Sequence, residues 1–263
     1  MHALHRPVSQ LMRDVGEQVL LRHFRALASH QVMAKGKDDL VTVADHESEQ
    51  RLEEALRSLL PEAEIVGEEA VAADPAILDA LGHDLCWIID PLDGTHNFAH
   101  GHPPFGILLA LAQAGETLAG WLYDPLGGRM CHAVRGKGAW IDDERCRARE
   151  SGAALPIAAI SLLFMDAAKR EQMKARCDGH YHMVDIPRCA AEQYPRLVLG
   201  QNDISIFERT LAWDHAAGIL FLNEAGGKAA RWDGSSYRVT DRTTGLLGAA
   251  SPRLWEEAAR LLR

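Results

Sequence analysis

Residues 85–95 read LCWIIDPLDGT, and this stretch decides how the fold is interpreted. A short apolar run that stops abruptly in acid is typical of a buried strand that delivers carboxylates. We expect Pro91 to end the strand, because proline withholds a backbone N–H and fixes φ. The resulting turn would bring Asp90, Asp93 and the carbonyl oxygen of Leu92 toward one point.

This group of oxygens predicts a site for a hard divalent cation. Two carboxylates and a carbonyl suit Mg²⁺ or Mn²⁺, whereas zinc and copper prefer nitrogen and sulfur ligands. Gly94 tolerates a positive φ, and without a side chain there the amides of Gly94 and Thr95 can approach an anion closely. Taken alone, the stretch is also compatible with an ordinary Asp-rich turn at a strand end.

Two further segments place carboxylates beside apolar elements. Residues 64–66 predict a strand that leads into GEE at 67–69, and Asp214 stands in WDHAAG at 213–218, where an apolar helix is predicted to begin. Aspartate is also a favoured N-cap residue, so helix capping competes with metal binding as the role of Asp214.

Together these segments resemble the inositol monophosphatase family of lithium-sensitive, metal-dependent phosphatases. The resemblance runs almost end to end and includes the chain length. The motifs that carry it are DLVTVAD at 39–45 after Lys35, GEE at 67–69, DPLDGTHNF at 90–98, WDHAAG at 213–218 and EAGG at 224–227.

The resemblance implies an α/β (α+β) fold with αβαβα layers, a homodimer, and hydrolysis of small phosphate monoesters with two or three Mg²⁺ ions per site. The residues that match the family's metal ligands are Glu69, Asp90, the Leu92 carbonyl, Asp93 and Asp214. Thr95 matches the residue that, with an acidic partner corresponding to Asp45, orients and activates the attacking water, and Glu69 matches a residue that contacts this water through a metal. The substrate-binding set would include Asp93 and the amides of Gly94 and Thr95.

Positions that would face the substrate match less well. Many relatives carry Gly-Ser/Thr-Ala-Ala where this chain has RCAA at 188–191, so Ala190 is expected at the substrate and Arg188 departs from the pattern. If its guanidinium points into the pocket, Arg188 could hold a second phosphate or carboxylate, and myo-inositol phosphate would not be preferred; the alternative is that it faces solvent. Glu208 lies one residue away from the spacing of the family's polyol-binding acid, and Arg209 could share that role.

The remaining pattern predicts one domain over residues 1–263, with an α+β half over about 1–150 and an α/β half over about 151–263. The first half would hold two amphipathic helices and a meander of strands. The second half would alternate strands and helices. Predicted strands lie at 106–112, 118–123, 130–134, 139–141, 157–164, 181–186, 204–207, 228–232 and 246–249, and predicted helices at 166–176, 190–199, 214–225 and from 252 onward.

Composition excludes several classes of protein. The chain has 47% hydrophobic and 25% charged residues, which is ordinary for a globular protein. Its net charge of −9 argues against a protein whose main function is to bind nucleic acid or an anionic membrane. No signal peptide or membrane span is visible, and five cysteines without a C-x-x-C pair fit a reduced compartment, so we expect a cytoplasmic protein.

Several alternatives stay open. Relatives cleave inositol phosphates, fructose 1,6-bisphosphate, histidinol phosphate or 3′-phosphoadenosine 5′-phosphate, and the motifs do not decide among these substrates. A haloacid-dehalogenase-like phosphatase needs aspartates two residues apart, whereas Asp90 and Asp93 are three apart. A non-catalytic regulatory or RNA-associated protein is disfavoured by the net charge, the lack of a basic, aromatic-rich patch and the intact ligand set.

Overall fold

A computed structural model describes residues 1–36 and 39–262. In the first half the elements are α1 (His5–Val15) with a π-helical continuation (Gly16–Leu21), a 3₁₀ turn (Ser29–Gln31), β1 (Val32–Gly36), β2 (Asp39–Thr42), α2 (Val43–Leu59), β3 (Glu64–Gly67), α3 (Glu68–Ala73), a 3₁₀ segment (Pro75–Gly82), β4 (Cys86–Asp93), α4 (Thr95–Ala99), β5 (Gly106–Gln113), β6 (Glu116–Tyr123), β7 (Met130–Val134), β8 (Gly138–Ile141) and β9 (Glu144–Cys146). In the second half they are β10 (Ile157–Ile160), α5 (Ala167–Cys177), β11 (His182–Val184), α6 (Ala190–Val198), β12 (Ile204–Phe207), α7 (Ala212–Glu224), β13 (Lys228–Ala230), β14 (Leu246–Ala249) and α8 (Pro252–Leu262).

Two large sheets organise these elements. The first has seven strands in the order β3-β4-β5-β6-β7-β8-β9, in which β3 and β4 run parallel and the rest form an antiparallel meander. The second has five strands in the order β11-β10-β12-β14-β13, with its first three strands parallel. Strands β1 and β2 form a separate antiparallel pair before α2.

Helices cover both faces of each sheet. Alternate residues of β4 point to opposite faces: Trp87 packs in one core with residues of α1 and α2, and Ile88 packs in another with residues of α6 and α7. Phe207 of β12 joins the α6 and α7 core from the other side, while Ile206 joins residues of α5 and α8. The order of layers is therefore αβαβα, as predicted.

Strand β4 does not end at Pro91, so that prediction is wrong. The strand continues to Asp93, and its pairing with β5 shifts between Asp90, opposite Leu108, and Asp93, opposite Gly106. Three steps on β4 thus match two on β5, which is a β-bulge, one of the few places where a sheet accepts proline. In a regular strand, residues three apart face opposite sides, so the bulge is what allows Asp90 and Asp93 to face the same side.

Other differences from the prediction are small. Strands β10, β11 and β13 are shorter than predicted, α7 begins before Asp214, and neither the β1–β2 pair nor the 3₁₀ segments were expected. Helix α6 contains Pro195 and still extends to Val198. Within the part of the chain that the structure describes, no helix is both long enough and apolar enough to span a membrane.

Candidate active site

A cavity opens beside the bulged end of β4, where α4, α6 and α7 approach one another. Most of the residues selected from the sequence line its wall: Asp90, Leu92, Asp93, Gly94, Thr95, Arg188, Ala190 and Asp214. Glu68 and Arg209 also line it. Of the predicted site residues, Asp45, Glu69 and Glu208 are not on this wall.

The turn from β4 into α4 requires glycine. Gly94 has a φ of 84°, in the left-handed region, and a Cβ built there would lie 2.9 Å from the carbonyl oxygen of Pro104. Just before the turn, Asp90 Oδ1 accepts a hydrogen bond from the Leu92 amide at 3.1 Å. These contacts hold the two aspartates and the start of α4 in one compact loop.

Asp93 joins this loop to α6. Its Oδ2 accepts a hydrogen bond of 2.6 Å from the Ala191 amide in the first turn of that helix. Burial raises the pKa of Asp93 to about 7, although the Ala191 N–H acts in the opposite direction, and the nearby charge of Asp214 raises the pKa further. The carboxylate is therefore held firmly while its negative charge is poorly stabilised by the protein.

The cavity carboxylates raise one another's pKa values. Burial, followed by the charge of Glu68, raises the pKa of Asp90 well above its ordinary value, and Asp93 and Asp214 add to the effect. Oxygen ligands that are gathered and repel one another fit a hard divalent cation, which would remove the repulsion. The set therefore fits Mg²⁺ or Mn²⁺.

Glu68 lines the cavity, whereas Glu69, the predicted ligand, is not among the lining residues. The two are adjacent in the first turn of α3, and Glu69 is buried close enough to Asp45 for its charge to add to the effect of burial in raising the pKa of that carboxyl. The Oε2 atom of Glu69 instead lies 4.0 Å from Nδ1 of His46, which is on α2. The GEE motif alone does not show which glutamate points inward.

Glu49 holds the start of α3 and was missed in the sequence. Its carboxylate accepts hydrogen bonds from the amides of Glu69 at 2.9 Å and Ala70 at 2.7 Å. A Cβ on Gly67 would lie 2.4 Å from Cδ of Glu49, so only glycine leaves room for this contact. Glu49 lies four residues after Asp45 and three before Leu52, on the buried face of α2, and this spacing was the available signal.

Asp45 and Thr95 are brought together as expected from the resemblance. Asp45 Oδ2 accepts hydrogen bonds from the backbone N–H and the hydroxyl of Thr42, both at 2.7 Å, in a capping box that starts α2. Its Oδ1 lies 3.0 Å from Oγ1 of Thr95, which is also 2.8 Å from the Leu92 carbonyl oxygen. Asp45 is 1% exposed, and burial raises its pKa to about 7. It therefore reaches the cavity through the Thr95 hydroxyl.

Asp214 is not an N-cap. The N-cap residue of α7 is Leu211, and Asp214 lies in the first helical turn, facing the cavity. Its Oδ2 lies 3.5 Å from Nη2 of Arg209. The capping alternative for Asp214 is therefore wrong.

Glu208, predicted for substrate binding, is not among the residues that line the cavity. Its Oε1 pairs with Nζ of Lys169 at 2.6 Å, whereas Phe207 and Arg209 on either side line the cavity. This alternation is expected where extended chain leaves a strand, because successive side chains point to opposite sides. The one-residue difference in spacing thus exchanges an acid for a guanidinium on the wall.

A separate group could hold a metal ion away from this cavity. Ligand atoms of His5, His132 and Asp143 lie within 4.8 Å of one another. The His5 Nε2–Asp143 Oδ1 distance is 2.8 Å, and Trp121 Nε1–H donates to His5 Nδ1 at 3.1 Å. Because the indole is only a donor, the His5 proton lies on Nε2, toward Asp143. These residues have no metal-ligand spacing along the chain, because they meet through tertiary packing.

We expect metal-free protein to lose stability relative to Glu49→Gln as the pH rises. Burial raises the pKa of Glu49 to about 7 from 4.5. Folding is therefore favoured by the protonated carboxyl at low pH, and this contribution is lost as the pH rises from about 4.5 through 7. Denaturant unfolding in EDTA at pH 5 and pH 7 should show a relative loss of roughly 2 kcal/mol.

The comparison with Glu49→Gln cancels other titrations. Burial lowers the pKa of His132 and His215 to about 3, so their contributions change with pH in the opposite sense in both proteins. A difference between wild type and variant that stays constant, or that grows in favour of the wild type as the pH rises, would contradict the placement of Glu49.

The layered fold and the acidic cavity agree with the family of phosphatases that the motifs resemble. The chain belongs to the inositol monophosphatase family, which it matches over residues 5–263. It is 34% identical to the "Nus factor SuhB" of Pasteurella multocida over 235 residues, covering 86% of this chain and 84% of that protein. It is also 34% identical to the "Inositol-1-monophosphatase" of Rhizobium meliloti over 218 residues, covering 79% and 78%.

The solved structure of the extragenic suppressor protein suhB from Bartonella henselae has the same fold. It superposes with a TM-score of 0.84 at 26% identity, covering 100% of this chain and 99% of that one. The recognition of the family from its motifs is therefore confirmed.

Proposed function

We propose that this protein is a Mg²⁺-dependent phosphomonoesterase that transfers the phosphoryl group of a small phosphate ester to water. The observation that carries the proposal is the convergence of Glu68, Asp90, Asp93 and Asp214 on one cavity wall. Such a concentration of buried and half-buried negative charge beside backbone amides suits a cation-dependent site for a phosphate group.

Metal ligands in this proposal are the four cavity carboxylates and the Leu92 carbonyl oxygen, with Glu68 in place of Glu69. Two or three bound divalent cations would supply positive charge to the phosphoryl oxygens and acidify water. Asp93 has a second task, because its hydrogen bond to Ala191 N–H fixes the start of α6 beside the substrate.

Thr95 and Asp45 would orient the attacking water. When the Thr95 hydroxyl donates to Asp45, its lone pairs are left to accept a hydrogen bond from water in the cavity. Asp45, with a pKa of about 7, is suited to accept a proton relayed through Thr95 near neutral pH. The amides of Gly94 and Thr95 would bind phosphate oxygens at the beginning of α4.

The alcohol part of the substrate would lie toward Ala190, Arg188 and Arg209. Inositol monophosphate or a related sugar or polyol phosphate is the first expectation, with histidinol phosphate, fructose 1,6-bisphosphate and 3′-phosphoadenosine 5′-phosphate as alternatives. We further propose that the chain works as one domain, as a homodimer, in the cytoplasm, without membrane or nucleic-acid partners.

Phosphate release from these four classes of ester, with Mg²⁺ and with EDTA, tests the proposal. We expect release from at least one class with Mg²⁺ and none with EDTA. If no ester releases phosphate with Mg²⁺ or Mn²⁺, the hydrolase proposal fails. The non-catalytic regulatory alternative would then be favoured. The Pasteurella multocida relative is named as a Nus factor.

A further inference from the structure

Arg188 brings a positive charge to the cavity wall that no described residue neutralises. The other arginine there, Arg209, lies 3.5 Å from Asp214 Oδ2, and its Cζ lies 4.2 Å above the Phe164 ring. For the side chain of Arg188, by contrast, no hydrogen bond or ion pair is found with the side chains that the structure describes. Its guanidinium is therefore available to an anion in the cavity.

The backbone holds Arg188 beside the cavity in an unfavourable conformation. Its φ of +54° lies in the left-handed region, which disfavours any residue with a Cβ. Contacts on both sides maintain it: Asn97 Nδ2 donates to the Pro187 carbonyl oxygen at 2.9 Å, and the Ala191 amide donates to Asp93. An arginine held in a strained conformation at a binding cavity points to a role for its side chain.

Arg188 lies closer to the cavity opening than the aspartates do. Asp90 and Asp93 are 2% and 8% exposed at the inner end of the cavity, whereas Arg188 is exposed at its mouth. A phosphoryl group bound beside the aspartates would therefore leave the alcohol part of the ester to extend toward Arg188.

We propose that Arg188 determines specificity by binding a second negatively charged group, a phosphate or a carboxylate, on the alcohol part of the substrate. The proposal rests on the proposed hydrolase function. The planar guanidinium offers paired N–H groups that match two oxygens of either anion, so one residue can distinguish an ester with two anionic groups from its analogue with one.

Two matched substrate pairs test the proposal and distinguish the two anions. Fructose 1,6-bisphosphate has a second phosphate that fructose 1-phosphate lacks. Likewise, 3-phosphoglycerate has a carboxylate that glycerol 3-phosphate lacks. In at least one pair, Arg188→Gly is expected to lower the ratio of the kcat/KM value for the ester with two anionic groups to that for the ester with one by about tenfold or more, mainly through KM. Glycine accepts the positive φ, so the melting temperature should not fall.

Arg25→Gly is the matched control. Arg25 also has a positive φ, of 62°, and its guanidinium donates to the Gly101 carbonyl oxygen instead of lining this cavity. The same substitution there should leave both ratios as in the wild type.

If the esters are hydrolysed, two outcomes would overturn the proposal. An equal fall in kcat/KM for both members of each pair would place Arg188 on the reacting phosphate, and kcat/KM values that all stay as in the wild type would place it in solvent. If the wild type hydrolyses none of these four esters, calorimetry with Ca²⁺ tests Arg188 instead, and the proposed function fails only if the other classes of ester also release no phosphate. The wild type should then bind the bisphosphate or 3-phosphoglycerate about tenfold more tightly than Arg188→Gly does, and equal affinities for both ligands would reject the proposal.

Discussion

Asp93→Asn is expected to lower the turnover of phosphate esters by about 10³-fold. The substitution replaces a buried carboxylate by a neutral amide and so removes one of four charges that face the cavity. An asparagine oxygen can still accept a hydrogen bond from the Ala191 amide, so the start of α6 should stay in place. Steady-state phosphate release at saturating Mg²⁺ measures the effect.

The same variant should behave in the opposite way without metal. Burial and, after it, the charge of Asp214 raise the pKa of Asp93, so removing its charge relieves desolvation and repulsion in the folded protein. In EDTA we expect Asp93→Asn to melt at or above the wild-type temperature, and to gain less stability when Mg²⁺ is added.

Asp124→Asn serves as the control for this substitution. Asp124 accepts hydrogen bonds from the amides of Leu126 and Gly127 in a turn away from the cavity, and asparagine can do the same. It should change neither turnover nor the response to Mg²⁺. Wild-type turnover in Asp93→Asn would contradict the assignment of Asp93.

Thr95→Val is expected to lower kcat by about 10²-fold while leaving the affinity for Mg²⁺ near that of the wild type. Valine keeps the shape of threonine but removes the hydroxyl that links Asp45 to the cavity. Thr95→Ser keeps the hydroxyl and should retain most of the activity. Comparison of kcat values with Mg²⁺ binding by calorimetry separates this role from metal binding.

Combination with Asp45→Asn tests whether the two residues act as a unit. If water is oriented through a single Thr95–Asp45 link, the double variant should be hardly slower than either single variant. Fully additive losses would show that the residues act separately and would contradict the relay.

The family resemblance predicted the αβαβα layers. Most of the cavity wall was predictable from the sequence, because the residues of the DPLDGT stretch lie close together along the chain. The bulge between Asp90 and Asp93 was not predicted, since it depends on the pairing of β4 with β5. The stretch was nevertheless correctly expected to bring both aspartates to one side. Proline at this position predicts the end of a strand because it has no backbone N–H to donate, but a bulge also leaves a residue without that hydrogen bond.

The two positions where the cavity wall differs from the predicted one have a common physical explanation. Glu68 and Glu69 are adjacent in a helical turn, and Glu208 and Arg209 are adjacent in extended chain, so a shift of one residue changes which side chain faces the cavity. Motif spacing locates such a pair, but only tertiary packing decides between its members. For Glu68 and Glu69 the decision depends on Glu49, which lies about twenty residues earlier on α2.

The most direct test of the central claim is a Mg²⁺ titration of EDTA-stripped protein in which released phosphate and bound Mg²⁺ are measured together. Stripped protein should release no phosphate, activity should rise in step with Mg²⁺ binding, and Asp93→Asn should weaken both. Phosphate release that persists without divalent cations, or Mg²⁺ binding that Asp93→Asn leaves unchanged, would contradict the account of a carboxylate-held metal site.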